Sequence, residues 1–444
     1  MTFTLSILIG IPVLGILVFV HELGHFLVAK ACKINVLTFS LGFGAPILKK
    51  EWKGTEYRIS AIPFGGYVRM AGENPEEEKS GAPDEFTSKP IYQRALVALA
   101  GPVANVLFAM LLLWVAFMYG VKRPLYLDST MVGAVVENSA ADKAGFLPKD
   151  SILSLNGEPM EGWEEIETHL GQQMKEYEFV VKREGQKIKL DMKLERSGPR
   201  IPQDPTGGLL PPSLPSVVGN FSENSVAKDR LQKGDTILSV NGTEVTCFEQ
   251  FAMIVGKYEP ADSAINIGIK REKQAFDVDL TPRFDSTHNR YLLGIGPAEP
   301  DSRYISYGPA EAAKHMVSKS WEFTTMIFDV VGKLFSGQVS ANQLAGPLGI
   351  IPASGLMALQ GFSEILNFMA LIGINLAVLN LMPLVITDGG LLMFLGLEAV
   401  RGKPLTLKTQ TLINKIAMIF FLALFLFVSF NDVRRLPDFL RIFK

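Results

Sequence analysis

The chain has 444 residues, 48% hydrophobic and 20% charged, with a net charge of −2. A mean hydropathy of +0.22 is too apolar for an ordinary soluble protein of this size and too polar for a pure membrane bundle, so a few spans joined to sizeable soluble parts are expected. Charges of both signs are interspersed, which argues against nucleic acid as a partner, and two distant cysteines, Cys32 and Cys247, give no disulfide framework.

The first element, residues 1–30, begins with the uncharged run Leu5–Val20 and continues directly into His21-Glu22-Leu23-Gly24-His25. No basic segment precedes the run and no small-residue cleavage site follows it, so it reads as a retained span. H-E-x-x-H on a helix places two imidazoles at i and i+4 on one face. That is the spacing for Zn2+, with the intervening Glu22 as general base for the attacking water. Ionisable groups at membrane depth are costly, and such a cluster signals function.

Residues 31–94 follow. Thr55–Ile62 alternates and is rich in strand formers, and Gly42, Gly44, Gly65 and Gly66 punctuate the region, so a β-hairpin or small sheet is expected. The edge of such a sheet can hold a substrate extended by strand addition, with Tyr57 and Ile59 as candidate contacts. Glu73–Asp84, acidic and Pro-containing, reads as a solvated linker. The second span, in residues 95–120, is the uncharged Ala95–Tyr119.

The middle of the chain repeats itself at an offset of about 85 residues. Val136-Glu137-Asn138-Ser139-Ala140-Ala141 matches Ser222-Glu223-Asn224-Ser225-Val226-Ala227, and Lys149–Gly157 matches Gly234–Gly242. Both copies end on an Asn-Gly pair suited to a tight hairpin. The pattern is similar to the PDZ fold, which implies two α+β domains at 128–210 and 211–298, joined by Pro-rich Ser197–Pro215. The resemblance implies that peptide ends would meet Met131, Val132 and Gly133 in one domain and Val217, Val218 and Gly219 in the other. Equally open is a purely steric role.

In the connector, residues 299–362, Pro309–Phe335 has helical spacing with an aromatic face. It suits either the membrane surface or a packed connector. A third span, Ile365–Val385 in residues 363–392, and a fourth, Ile416–Phe430 in residues 408–432, complete the set. Lys and Arg residues crowd the loops after spans one and three, which puts those loops in the cytoplasm and the repeat outside it. Spans one and three then end at the same depth. A catalytic zinc needs a third protein ligand, and Asp388, just past span three, stands at that depth, in a loop that Pro383 should open by breaking the helix and that Gly389 and Gly390 let fold tightly. Glu364, Glu398 and Cys32 are weaker rivals. His169, His288 and His315 lack a partner at ligand spacing and read as surface or satisfied residues.

H-E-x-x-H closing a first span, with Asn380-x-x-Pro383-x-x-x-x-Asp388-Gly389 after a later one, resembles the site-2 protease family of intramembrane zinc metalloproteases, and within it the bacterial RseP branch. The turn Gly42-Phe43-Gly44, and Gly54–Met70, Leu344-Ala345-Gly346-Pro347 and Asn431-Asp432, match too. The resemblance implies His21, His25 and Asp388 as zinc ligands and Glu22 as catalytic base. Asn380, Pro383, Gly42, Phe43 and Gly44 would be substrate contacts, and the β-loop would re-enter the membrane. It implies a multi-span α-helical protein of the bacterial inner membrane with periplasmic PDZ-like domains. The implied substrate is a single-span membrane protein such as an anti-sigma factor, or a remnant signal peptide. Val385, Thr387 and Leu391 depart from the family pattern of Pro, Leu and His around the ligand. The rival classes are a membrane metal transporter, disfavoured by the lack of charges in spans two and three, and an inactive scaffold, disfavoured by Glu22.

Overall fold

The computed structural model describes residues 3–73, 80–171, 174–194, 206–222, 224–259, 264–285, 290–336, 346–384 and 387–442. Val385, Glu223, His288, Leu344, Ala345, residues 197–205 of the Pro-rich linker and residues 74–79 of the acidic linker lie outside the described residues. The chain forms two compact units, residues 1–121 with 305–444, and residues 122–304.

The first unit opens with helix α1 (Phe3–Ala31), which carries the H-E-x-x-H residues in its last turns. Two long strands follow, β1 (Val36–Trp52) and β2 (Thr55–Met70). They are bent, so the pair makes more than a simple hairpin. Val36–Leu41 pairs on one side with Gly66–Met70 and on the other with Glu56–Ile59, which in turn pairs with Leu48–Lys50. Tyr57 and Ile59 therefore lie inside the sheet, and Gly66–Met70 forms an edge. Gly42-Phe43-Gly44, expected as a turn, is an irregular stretch within β1, where the pairing register shifts and both glycines have φ of +88°. Helix α2 (Ile91–Tyr119) extends the predicted second span backward by four residues, from Ala95 to Ile91.

The middle unit bears out the repeat. Its first half has a sheet of Glu158–Pro159, Ser151–Leu155, Glu176–Arg183 and Gln186–Lys193, with helices α3 (Ala140–Ala144) and α4 (Trp163–Leu170). The second half repeats the strand order with Thr243–Glu244, Thr236–Val240, Ile265–Arg271 and Gln274–Leu280, and helix α5 (Phe248–Gly256). Each half closes its own core: Trp163, Ile152 and Phe179 are fully buried in one, Ile237, Val240 and Ile267 in the other. Asn156 and Asn241 both sit at positive φ, 51° and 49°, as an Asn-Gly hairpin turn requires. An ion pair repeats as well, Arg183 on buried Asp150 and Arg271 on buried Asp235, each at 2.6–2.8 Å.

The rest of the first unit is helical: α6 (Pro309–Phe335), α7 (Pro347–Gln360), α8 (Phe362–Leu381), α9 (Asp388–Arg401) and α10 (Leu407–Ile442). Ala312 and Phe323 of α6 join the core formed with α1, α2 and α8, while Trp321 and Phe328 stay exposed, so this segment is a packed connector with a free aromatic face. Asp432 of α10 accepts from the backbone N–H groups of Gly346 and Gly349 at 2.9 and 3.0 Å, capping α7. Among the described residues, three helical segments are long and apolar enough to cross a membrane: Ser6–Ala31, Ile91–Tyr119 and Phe362–Leu381. The predicted fourth span falls within α10. Span three ends at Leu381, short of the expected Val385, because α8 stops before Pro383 and a new helix begins at Asp388.

The repeated ion pair is directly testable. Burial opposes the charge on Asp235, but hydrogen bonds from the Arg271 guanidinium and the Gln232 N–H, together with the charge of Arg271, outweigh it and hold the carboxyl below its usual range. Its contribution to stability is therefore present at neutral pH and lost as pH falls through the carboxylate range. Asp235→Ala should destabilise the second half-domain by about 2–3 kcal/mol, less than a fully buried pair because Arg271 is partly exposed. Amide exchange in the full chain should accelerate at Thr236–Val240 and stay unchanged at Ser151–Leu155.

Candidate metal centre

The site begins with a close helix crossing. A Cβ on Gly24 would lie 2.3 Å from the carbonyl oxygen of Ala100, so only glycine lets α1 approach α2 this closely. The neighbouring residue on α1, His25, is thereby brought against α2, and its Nδ1–H donates to the Val97 carbonyl at 2.7 Å. Because a carbonyl can only accept, this bond fixes the tautomer and leaves Nε2 with a free lone pair. Gly101 makes the room: a Cβ there would lie 2.3 Å from His25 Nε2 and 2.7 Å from His21 Cε1. Both imidazoles are buried.

Asp388 completes the set. It is the first residue of α9, whereas a loop position was expected. The loop before it is tied by Thr387, whose hydroxyl lies 3.0 Å from the Met382 carbonyl and 2.8 Å from that of Leu384. Thr387, one of the departures from the family pattern, thus holds the turn by hydrogen bonding. Leu391, another departure, lines the cavity beside the site. Helix α9 is anchored to α2 by a two-pronged ion pair, Arg94 to Glu398 at 2.6 and 3.0 Å. That pairing accounts for Glu398 and removes it as a rival ligand. Cys32 packs in an apolar cluster with Ala29 and Ile34 and stands outside the metal-ligand group. Glu364 is in the first turn of α8, at the end away from Asp388.

His21 Nε2 lies 3.2 Å from His25 Nε2 and 3.3 Å from Asp388 Oδ2, and His25 Nε2 lies 3.4 Å from Asp388 Oδ1. Tetrahedral zinc with bonds of ~2.0–2.1 Å requires ligand atoms about 3.4 Å apart, and the separations here suit such an ion. With Nε2 of both imidazoles unprotonated, all three side chains present lone pairs to one point, an arrangement that favours a cation. The fourth direction opens on a cavity of about 270 Å³ lined by Glu22, Gly66, Tyr67, Val68, Asn380 and Thr387. Gly66 backs onto Glu22, since a Cβ there would meet Glu22 Cγ at 3.0 Å. The edge strand Gly66–Met70 therefore runs past Glu22.

The other expected site residues divide. Asn380 Nδ2 is 3.4 Å from His21 Nε2, at the site. Pro383 is exposed beyond the end of α8. Gly42, Phe43, Gly44, Tyr57 and Ile59 do not line the cavity, although Phe43 stacks on Tyr67, which does. In the repeats, Val132 N–H donates to Asp150, Gly133 N–H to Leu210 and Val218 N–H to Asp235, so these main-chain donors are engaged inside the domains; Met131 N–H donates to the Ser129 hydroxyl. Val217 N–H donates to the Pro215 carbonyl and Gly219 packs on Pro297. His169 is satisfied by Glu158 and the Glu165 carbonyl, and His315 packs on Phe117 and Tyr307. Sequence reasoning missed Arg94, Gly101 and Asn105. Asn105 had a signal, as the one amide side chain in Ala95–Tyr119.

A helical membrane scaffold with this site defines a zinc metalloprotease. The profile of Peptidase family M50 matches residues 9–424, and the chain belongs to that family. It is 34% identical to the "Regulator of sigma E protease" of Haemophilus influenzae, covering 98% of this chain and 100% of the relative. It is 33% identical to the "Regulator of sigma-E protease RseP" of Escherichia coli, covering 96% and 98%. A Pasteurella multocida protein named as a zinc metalloprotease is 35% identical over 98% of this chain and 100% of its own length. Among solved structures, a PDZ domain of an SdrC-like protein from Listeria monocytogenes covers 18% of the chain at 20% identity with a TM-score of 0.17, too slight a likeness to bear on the fold.

Gly101→Ala should drive a methyl group into the imidazoles. The purified protein should keep its helix content by circular dichroism and lose most of its zinc by elemental analysis.

Proposed function

We propose that this chain is an intramembrane endopeptidase that cuts single-span membrane proteins of the anti-sigma factor type, with remnant signal peptides as a second substrate class. The observation that carries the reading is the convergence of His21, His25 and Asp388 at the ends of apolar helices, with Glu22 and an edge strand opening on the same cavity. The names of the relatives support the sigma-E role. We place the protein in the bacterial inner membrane, with the repeat domains periplasmic, on the distribution of Lys and Arg between its loops.

His21, His25 and Asp388 would hold zinc, which when bound supplies Lewis acidity to the scissile carbonyl and to a water molecule. Glu22 takes the proton from that water and passes it to the leaving amine. A transmembrane helix hides its carbonyls in its own hydrogen bonds, so the substrate must unwind first. Gly66–Met70, an edge of the sheet beside the cavity, would hold the unwound segment as an added strand. Asn380, at the cavity wall, is placed to donate to a substrate carbonyl. For the PDZ-like domains, the internal engagement of Val132, Gly133 and Val218 favours a steric role over capture of a peptide end.

Glu22→Gln, assayed in detergent on a single-span substrate with zinc present, should retain the metal and lose at least ~10²-fold in cleavage rate. Asp388→Ala should lose both metal and cleavage. Cleavage by Glu22→Gln at the wild-type rate would overturn the mechanism.

A further inference from the structure

Asn105 lies on α2 one turn beyond Gly101, and its side chain is fully buried. Its amide nitrogen is 3.3 Å from Nδ1 of His21, and its Oδ1 has no hydrogen-bond partner among the described residues. Nδ1 of His21 is the ring atom turned away from the metal-ligand group, whose members meet His21 through Nε2. A neutral imidazole that gives its Nε2 lone pair to a metal must carry its proton on Nδ1, and that proton needs an acceptor. In a buried, apolar setting an unpaired N–H is costly. A half-turn of the Asn105 amide exchanges its oxygen and nitrogen without moving the side chain. The exchange brings Oδ1 opposite Nδ1 and moves the unpaired position onto the amide's nitrogen. The need of the histidine decides the orientation.

We propose that Asn105 is a positioning residue that holds His21 in its metal-ligating tautomer, its amide oxygen accepting from Nδ1–H. It does for His21 what the Val97 carbonyl does for His25. One ligand is thus braced by backbone and the other by a side chain, both from α2. The inference rests on His21 being a zinc ligand.

The test is the rate at which purified full-length protein in detergent yields zinc to excess chelator, together with the visible spectrum of the cobalt-substituted protein. Asn105→Leu keeps the volume and removes the acceptor, whereas Asn105→Asp keeps the shape and strengthens it. Asn105→Leu should lose zinc about 10–100-fold faster than wild type and shift the cobalt bands. Asn105→Asp should release zinc no faster than wild type. Should Asn105→Leu fail to accumulate, the Asp variant alone decides, because faster release from it contradicts a bracing acceptor. Equal release from the Leu variant and wild type would overturn the proposal. His21→Ala separates the two layers: zinc retained by that variant sinks the ligand assignment itself, while zinc lost by it but held normally by Asn105→Leu sinks only the role of Asn105.

Discussion

The close crossing of α1 and α2 is the constraint on which the metal centre depends. Gly24 brings the two backbones together, and Gly101 leaves space for the two imidazoles that α1 then presents. Without that approach His25 could not reach the Val97 carbonyl, and its tautomer would be unset. A membrane interior makes this economical. Helix association there relies on packing and on a few polar contacts rather than on hydrophobic burial, so small residues at the interface do the positioning.

The third member of the candidate metal group comes from the other end of the sequence. Asp388 opens α9, and α9 is tied to the start of α2 by Arg94 and Glu398. A buried ion pair is weak evidence of stability, but it fixes register where alternative packings of apolar helices differ little in energy. Between α8 and α9 the Thr387 hydroxyl bonds to the carbonyls of Met382 and Leu384. Helix α2 thus bonds to His21 and His25 and is tied to α9, which carries Asp388, although it supplies none of the three.

Much of this was legible in the chain. The H-E-x-x-H residues, the span that carries them and the pairing with Asp388 follow from motif spacing and shared membrane depth. The internal repeat was readable from its Asn-Gly turns and aspartates. Other features were not legible for physical reasons. Strand alternation in Thr55–Ile62 shows that a sheet exists, but bent strands that pair on both sides cannot be read from period-two patterning, so alternation points to Tyr57 and Ile59 where Gly66–Met70 provides the edge. Pro383 and Gly389 suggested a loop around Asp388, yet the carboxylate begins a helix, because sequence alone does not separate a helix break from a helix restart. Arg94 and Glu398 lie 304 residues apart, and no local pattern links them.

The most direct test of the account is zinc K-edge absorption on the purified full-length protein. The account predicts one zinc per chain with a first shell of nitrogen and oxygen only, at about 2.0–2.1 Å, including two imidazoles. A sulfur scatterer at about 2.3 Å, or a shell with a single imidazole, would contradict it.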